Sequence, residues 1–373
     1  MKLSDKTRPD RLAVFLPSLE GGGAEGVMTA VMNGLAQKGV SIDLYLATAS
    51  GVYLSQMDSR IRIHDLKSAS VLRALVPLAA ELRRTKPDTL LSAMSHANIV
   101  AWLASRISGI GRPRLVLSER MSLEARASFY ASLPERVIKA LMPRMFSRAD
   151  AVIVPTASMI PSFVEHSGVN ASRFRVIPNP ISGSVNSNGE WELGKQLRAR
   201  GKRIILAVGR LTAVKDYPTL IRAFAGLTPA HHAHLVILGE GSEREALLSL
   251  ANDLDVAEQV SLPGYSHDPI SAMAECDVYV LSSQFEGLPN ALLQALSVGA
   301  RVVSTDCPTG PRELLKDGLL GTLVPVGSVP DMTLAIEKAL ADDSDRRVAQ
   351  LTAYSLDHVV NEYEATLFPH GAE

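Results

Sequence analysis

Ile204-Ile205-Leu206-Ala207-Val208-Gly209-Arg210-Leu211-Thr212-Ala213-Val214-Lys215-Asp216, followed by helix-patterned residues from Pro218 to Ala225, reads as strand, loop and helix in that order. Five apolar residues ended by a glycine fit a strand covered on both faces, and strands that alternate with helices build parallel sheets. The pattern continues toward the C-terminus. Strands are expected at Leu235–Leu238, Gln259–Leu262, Val278–Leu281, Arg301–Ser304 and Gly321–Val324, with helices near Arg244–Asn252, Pro269–Ala274, Asn290–Val298 and Asp331–Ala341. It also runs toward the N-terminus. Strands are expected there at Leu12–Leu16, Ile42–Ala47, Thr89–Ala93, Leu115–Ser118 and Ala151–Val154, between amphipathic stretches such as Gly26–Lys38 and Ile99–Ile107.

A chain of 373 residues is long for one core, and its 46% hydrophobic and 21% charged residues suit a folded protein with two. The alternation lapses between Pro178 and Gly201, in Pro-Asn-Pro, then Ser, Asn and Gly, then a charged stretch, so the linker is expected there. The reading gives two doubly wound α/β domains, residues 1–180 and 181–354, and a closing helix over 355–373 that packs back on the first. Doubly wound sheets bind ligands at the carboxyl ends of their strands, so chemistry is expected in a central cleft that both domains face.

Thirty-eight basic against thirty-nine acidic residues leave a net charge of −1, which provides no global field for a nucleic acid. The two cysteines, Cys276 and Cys307, make neither a disulfide framework nor metal-ligand spacing. Met1 to Arg11 mixes basic and acidic residues with no apolar stretch behind them, unlike a secretory signal, and no apolar run approaches the ~20 residues that cross a bilayer. A cytoplasmic protein is expected. Phe129 to Arg148 mixes apolar residues with Arg136, Lys139, Arg144 and Arg148. Such a segment is either a core helix with a solvated basic face, here interrupted by Pro134 and Pro143, or a peripheral membrane contact.

Four constellations carry candidate chemistry. Gly21-Gly22-Gly23-Ala24-Glu25-Gly26 stands between the first strand and a helix. It satisfies G-x-G-x-x-G as letters, but Pro17 to Glu20 intervene and Asp43 opens the next strand instead of ending it, which disfavours a dinucleotide site. A tight glycine turn and a loop that closes over phosphate or sugar, through Gly22 and Gly23, remain open. Arg210 and Lys215 place two cations after Gly209, where a departing diphosphate gains charge; an ordinary basic surface loop is the bland alternative.

Ser282-Ser283-Gln284-Phe285-Glu286-Gly287-Leu288-Pro289-Asn290-Ala291-Leu292-Leu293-Gln294 joins a strand to a helix. Glu286 precedes that helix and Gln294 lies about two turns in, acceptors for sugar and ribose hydroxyls beside amides left open at the helix start. Asp306-Cys307-Pro308-Thr309-Gly310-Pro311-Arg312-Glu313 forms another strand-to-helix junction, where Thr309 either caps the helix or touches phosphate, capping being favoured. In the first half, Ser95-His96-Ala97-Asn98 and Ser118-Glu119-Arg120 follow strands and share one edge. His96 reads equally as a sugar-positioning residue and as a structural cap.

Taken together, Gly22-Gly23-Ala24-Glu25, Pro178-Asn179-Pro180, Gly209-Arg210 with Lys215, Glu286-Gly287-Leu288-Pro289-Asn290 and Cys307 to Glu313 resemble the retaining family 4 glycosyltransferases of bacterial polysaccharide assembly. The resemblance spans nearly the whole chain and is most specific in the second half. It implies a GT-B fold, no metal or other cofactor, and a nucleotide-sugar donor, UDP- or GDP-linked, whose diphosphate Arg210 and Lys215 hold. It further implies that Glu286 approaches the transferred sugar, that His96 corresponds loosely to a first-domain residue near that sugar, and that the anomeric configuration is retained. Gly209, Gly287, Leu288, Pro289, Asn290 and Thr309 complete the implied donor site. The acceptor is a glycan or a lipid-linked one. Gln294 departs from the family's second Glu, which puts ribose affinity in question. A nucleotide-sugar epimerase and an inactive nucleotide- or glycan-binding partner are the alternatives.

Overall fold

A computed structural model describes residues 10–109, 111–123, 133–181, 191–342 and 348–369. The chain divides into two compact units, Met1–Ser182 with Thr352–Glu373, and Gly183–Leu351. Phe129, Tyr130 and the middle of the expected linker, 182–190, lie outside the described residues.

The first unit is built on β1 (Arg11–Leu16), β2 (Ser41–Leu46), β3 (Arg62–Asp65), β4 (Thr89–Ala93), β5 (Arg114–Ser118), β6 (Ala151–Val154) and β7 (Phe174–Val176). Their order is β3-β2-β1-β4-β5-β6-β7 and the neighbours run parallel, with Leu12 opposite Ile42 on one side and Thr89 on the other. The inner strands are buried almost end to end because helices cover both faces. On one face Ala74, Leu78, Val100, Met142, Phe146 and Phe163 pack against Phe15, Leu90 and Leu117. On the other, helices Gly23–Gln37 and Leu356–Leu367 pack against Val14, Leu44 and Val116.

The C-terminal helix is anchored to this unit. Val359, Val360, Tyr363 and Leu367 are buried, each contributing roughly 1.5–3 kcal/mol. Thr89 Oγ1 donates to the Leu367 carbonyl at 2.8 Å, Arg114 Nε to that of Thr366 at 3.0 Å, and Lys38 Nζ to Asn361 Oδ1 at 2.6 Å. Ser355 caps the helix by accepting from the His358 N–H.

The second unit contains β8 (Arg203–Val208), β9 (Ala233–Leu238), β10 (Val260–Gly264), β11 (Val278–Leu281), β12 (Arg301–Thr305) and β13 (Thr322–Val324), in the order β10-β9-β8-β11-β12-β13, all parallel. The order reverses at β8 and β11, the switch point where open α/β sheets bind ligands. Helices Tyr217–Ala225, Arg244–Asp253 and Val329–Ala341 bury Leu220, Leu247, Met332 and Ile336 on one face.

Three expectations change. The charged end of the expected linker is a helix, Glu192–Ala199, within the second unit. It is held from outside, by Glu275 Oε1 accepting from the Trp191 N–H at 3.1 Å and by an Arg198–Asp277 ion pair at 2.8 Å. Leu133–Arg148 is one continuous helix with Pro143 inside it, because fully buried Met142, Met145 and Phe146 hold it against the core across the missing hydrogen bond. Short strands β3 and β7 add to the five strands expected in the first unit.

Candidate functional site

Three loops at the carboxyl ends of β8, β11 and β12 converge in the second unit. The β8 loop leaves the strand at Gly209, and a 3₁₀ turn, Ala213–Lys215, ends on Asp216 at φ 45° before helix Tyr217–Ala225. That turn ties to the β11 loop: the Gln284 N–H donates to the Val214 carbonyl at 2.8 Å and Ser282 Oγ to that of Lys215 at 2.6 Å. The side chains complete the link. Lys215 Nζ lies 2.6 Å from Glu286 Oε1, which also accepts from Ser283 Oγ at 2.7 Å. Both partners are largely covered, at 22% and 13% side-chain exposure, so the pair is worth more than one in open solvent.

The β12 loop locks onto the β11 loop from the other side. Thr305 Oγ1 donates to the Ser283 carbonyl at 2.6 Å, and Thr309 Oγ1 to the carbonyl of Glu286. Gly310 at φ 94° permits the approach: a Cβ there would lie 2.3 Å from the Gly287 carbonyl oxygen and 2.8 Å from Pro289 Cδ. Thr309 therefore does not cap the following short helix, whose cap position is Gly310 with no side-chain bond, because its hydroxyl is turned toward Glu286. Gly287, Leu288 and Pro289 are buried between these loops, Pro289 stands at the cap of helix Asn290–Ser297, and Gln294 is half-buried on that helix.

Arg210 is the contrast within this cluster. Its side chain is exposed and makes no hydrogen bond or ion pair among the described residues, whereas Lys215 on the same loop is engaged. The Lys215–Glu286 pair lies beside buried titratable groups. Burial, then the negative charge of Glu286, pushes the Cys307 thiol up to about 12, so it stays protonated at neutral pH. Burial and the same carboxylate raise Tyr217 too, and burial, Tyr217 and Glu286 raise Tyr279. Both tyrosine hydroxyls are buried without a hydrogen-bond partner among the described residues. A Cβ on Gly209 would sit 2.9 Å from Tyr217 Oη and 3.0 Å from Lys215 Cε, so glycine leaves room there for both groups.

Gly22, Gly23 and His96 belong to the first unit. Gly22 precedes helix Gly23–Gln37, and its side-chain space is filled by the Glu25 carboxylate, 2.3 Å from where a Cβ would stand. His96 is exposed in the first turn of helix Ser95–Ile107, after Met94, a non-glycine residue at φ 74°. The turn is pinned from inside. Glu119, fully buried, accepts from Ser95 Oγ, and from Asn98 Nδ2 at 2.9 Å. Arg120 donates to Asn179 Oδ1 at 2.8 Å and bonds the Tyr363 hydroxyl, so it ties these chain segments together.

Residues the sequence reading did not select are Ser283, Thr305, Tyr217 and Tyr279. Ser283 precedes Glu286 by three residues, and that spacing is the signal the sequence offers for it. The tyrosines gave none, since an aromatic in a strand or helix usually means core.

The comparisons follow the same division. A model of glycosyltransferase family 4 matches residues 21–183, and one of group 1 glycosyl transferases matches residues 190–355. An N-acetylgalactosamine-N,N'-diacetylbacillosaminyl-diphospho-undecaprenol 4-alpha-N-acetylgalactosaminyltransferase of Campylobacter jejuni is 30% identical, over 90% of this chain and 92% of its own. A lipopolysaccharide core biosynthesis glycosyltransferase of Rhizobium meliloti, LpsE, is 29% identical over 87% of each. Among solved structures, HepE of Anabaena in complex with UDP and glucose superposes with TM-score 0.78 at 21% identity, covering 95% of this chain and 98% of that one. The lipopolysaccharide outer core galactosyltransferase WaaB in its apo form gives TM-score 0.74 at 19% identity over 96% and 99%.

Proposed function

Since the chain belongs to the family 4 glycosyltransferases of GT-B fold, we propose that it moves a sugar from a UDP- or GDP-linked donor onto a glycan or lipid-linked acceptor, with retention, in cell-surface polysaccharide or lipopolysaccharide synthesis. The observation that carries the donor assignment is Arg210, without a side-chain partner among the described residues, beside an engaged Lys215 at the switch point of the second sheet. As the bond to the sugar breaks, charge builds on the diphosphate, and fixed cations stabilise that state more than the ground state. Lys215 exchanges Glu286 for a phosphate oxygen when the donor arrives. Glu286, released from the lysine and still bonded by Ser283, then meets the sugar. In this reading the two cations neutralise the leaving group without a metal.

The amides at the start of helix Asn290–Ser297 offer further phosphate donors, and Gln294 reaches the ribose with one acceptor and one donor group. UDP bound to HepE and the undecaprenol-linked substrate in the name of the Campylobacter relative support the donor and acceptor classes. In the first unit, His96 contacts the transferred sugar and Gly22 and Gly23 approach the phosphates. The protein works in the cytoplasm, at the membrane where a lipid-linked acceptor resides. Among the described residues no helix is long and apolar enough to cross that membrane.

The test is turnover with a panel of nucleotide sugars and lipid-linked or soluble glycans, followed as released nucleoside diphosphate and glycosylated product. A product formed by the native protein and lost in Arg210→Ala supports the reading. Turnover that survives in both Arg210→Ala and Lys215→Ala contradicts it.

A further inference from the structure

Tyr217 is only 3% exposed, and its hydroxyl has no hydrogen-bond partner among the described residues. Buried polar groups are nearly always paired, because an unpaired one gives up its bonds to water and receives nothing in exchange. A phenylalanine would fill the same place in the core, beside Leu211, Leu220 and Ile237, without that cost. The hydroxyl therefore calls for a use in another state of the site. Its neighbours include both members of the Lys215–Glu286 pair. Tyr217 Oη and Lys215 Cε border one small space over Gly209, 2.9 and 3.0 Å from the point where a Cβ would stand. Burial, then the Glu286 carboxylate, hold the phenol above its ordinary range, so it keeps its proton to donate at neutral pH.

The surrounding bonds leave the Lys215 side chain as the part that moves. Its N–H donates to the Thr212 carbonyl at 2.9 Å, its own carbonyl accepts from Ser282 Oγ at 2.6 Å, and Asp216 at φ 45° folds the chain between the lysine and the tyrosine. Tyr217 opens helix Tyr217–Ala225 with its ring held in the core. The lysine stem is flexible and its three N–H donors rotate. A turn about its last bonds carries Nζ off Glu286 Oε1 toward the space over Gly209 that Cε shares with Tyr217 Oη, and it leaves a largely covered carboxylate without its charged partner.

The geometry points to Tyr217 as a positioning residue for the donor-bound state: its oxygen accepts from the Lys215 ammonium turned toward the diphosphate while its O–H donates to the Glu286 carboxylate. A phenol does both at once, being donor and acceptor. One hydroxyl then bridges the two groups that a direct contact joined before, which steadies the lysine on the leaving group and keeps the carboxylate aimed after the ion pair opens. This inference rests on the reading that Lys215 exchanges Glu286 for a phosphate oxygen.

The test is calorimetric titration of UDP and GDP into the native protein, Tyr217→Phe, Lys215→Ala and the double variant, with chemical denaturation of each in the absence of nucleotide. Tyr217→Phe is expected to bind the native protein's nucleotide roughly tenfold more weakly, the scale of one lost hydrogen bond to a charged group, while its denaturation midpoint is unchanged or raised. In the Lys215→Ala background the same substitution is expected to change affinity by less than about twofold, since no ammonium remains to be held. A tyrosine that served packing alone would not show this coupling. Native affinity in Tyr217→Phe beside weakened binding in Lys215→Ala overturns the bridge and leaves the donor assignment standing. So does an equal loss in both backgrounds, or a lowered midpoint in Tyr217→Phe, which would show the hydroxyl already paired before the donor arrives. Native affinity in Lys215→Ala, or no binding of either nucleotide by the native chain, sinks the reading of Lys215 as a diphosphate ligand and the bridge with it.

Discussion

The two sheets are wound alike, yet the polar residues at their strand ends serve different ends. In the second unit, Ser282, Thr305 and Thr309 bond loop to loop, Ser283 bonds Glu286 within its loop, and the cation Arg210 has no side-chain partner among the described residues. In the first unit the buried polar groups serve the architecture. Glu119 fixes the turn at Met94, Arg120 joins Asn179 to Tyr363, and Asp43 clamps the edge strand β3 through Arg62 and His64. The lesson is that burial of charge by itself does not mark the chemistry; a charge left unengaged beside engaged ones is the more specific sign.

That contrast can be broken most forcefully at Lys215. Lys215→Ala is expected to lower turnover about 100- to 1,000-fold, the scale for losing one preorganised group on a developing charge. A loss near tenfold in kcat/KM would move Lys215 into the architectural class. Gly310→Ala should damage the second unit by about 2–3 kcal/mol, because a Cβ at φ 94° meets the Gly287 carbonyl. Chemical denaturation reads this, and an unchanged midpoint would mean that the β11 and β12 loops are not locked as described.

A pH series sharpens the first-unit side. Burial pushes the Asp43 carboxyl up, but bonds from Arg62 and His64 outweigh it and leave it below its ordinary range. The lowered folded value means that the stabilisation is complete above the unfolded pKa of about 4 and is lost as pH falls through the folded one. Asp43→Asn should cost about 1–3 kcal/mol near neutral pH and flatten the acid limb of the stability profile. An unchanged acid limb would remove Asp43 from the account of β3. Smallest of all, Tyr279→Phe should stabilise the second unit by about 1 kcal/mol, since it deletes a buried hydroxyl that has no partner among the described residues. A loss of stability would show that a buried water satisfies that group.

The same contrast explains what the sequence made legible. Apolar runs such as Ile204–Val208 and Val278–Leu281 announced central strands because both faces are covered, and those are the strands that carry the candidate loops. Gly209 and Glu286 were readable because junctions of strand and helix demand particular residues. Strand β3 was not readable, since its residues are charged or exposed and it exists through pairing with β2 and the Asp43–Arg62 clamp. Helix Glu192–Ala199 was hidden for a like reason, its support coming from Glu275 and Asp277 far along the chain. Thr309 was read as a cap from its local sequence, while its partner, the Glu286 carbonyl, is set by tertiary structure.

The account turns on Arg210 as a diphosphate ligand, and calorimetric titration of UDP and GDP into the native protein and Arg210→Ala tests it most directly. The native chain is expected to bind one of the two, and the variant to bind it about 10- to 100-fold more weakly, the scale of a lost hydrogen bond between charged groups. Equal affinity in the two proteins would contradict the assignment, because the exposed cation at the switch point would then have no part in holding the donor.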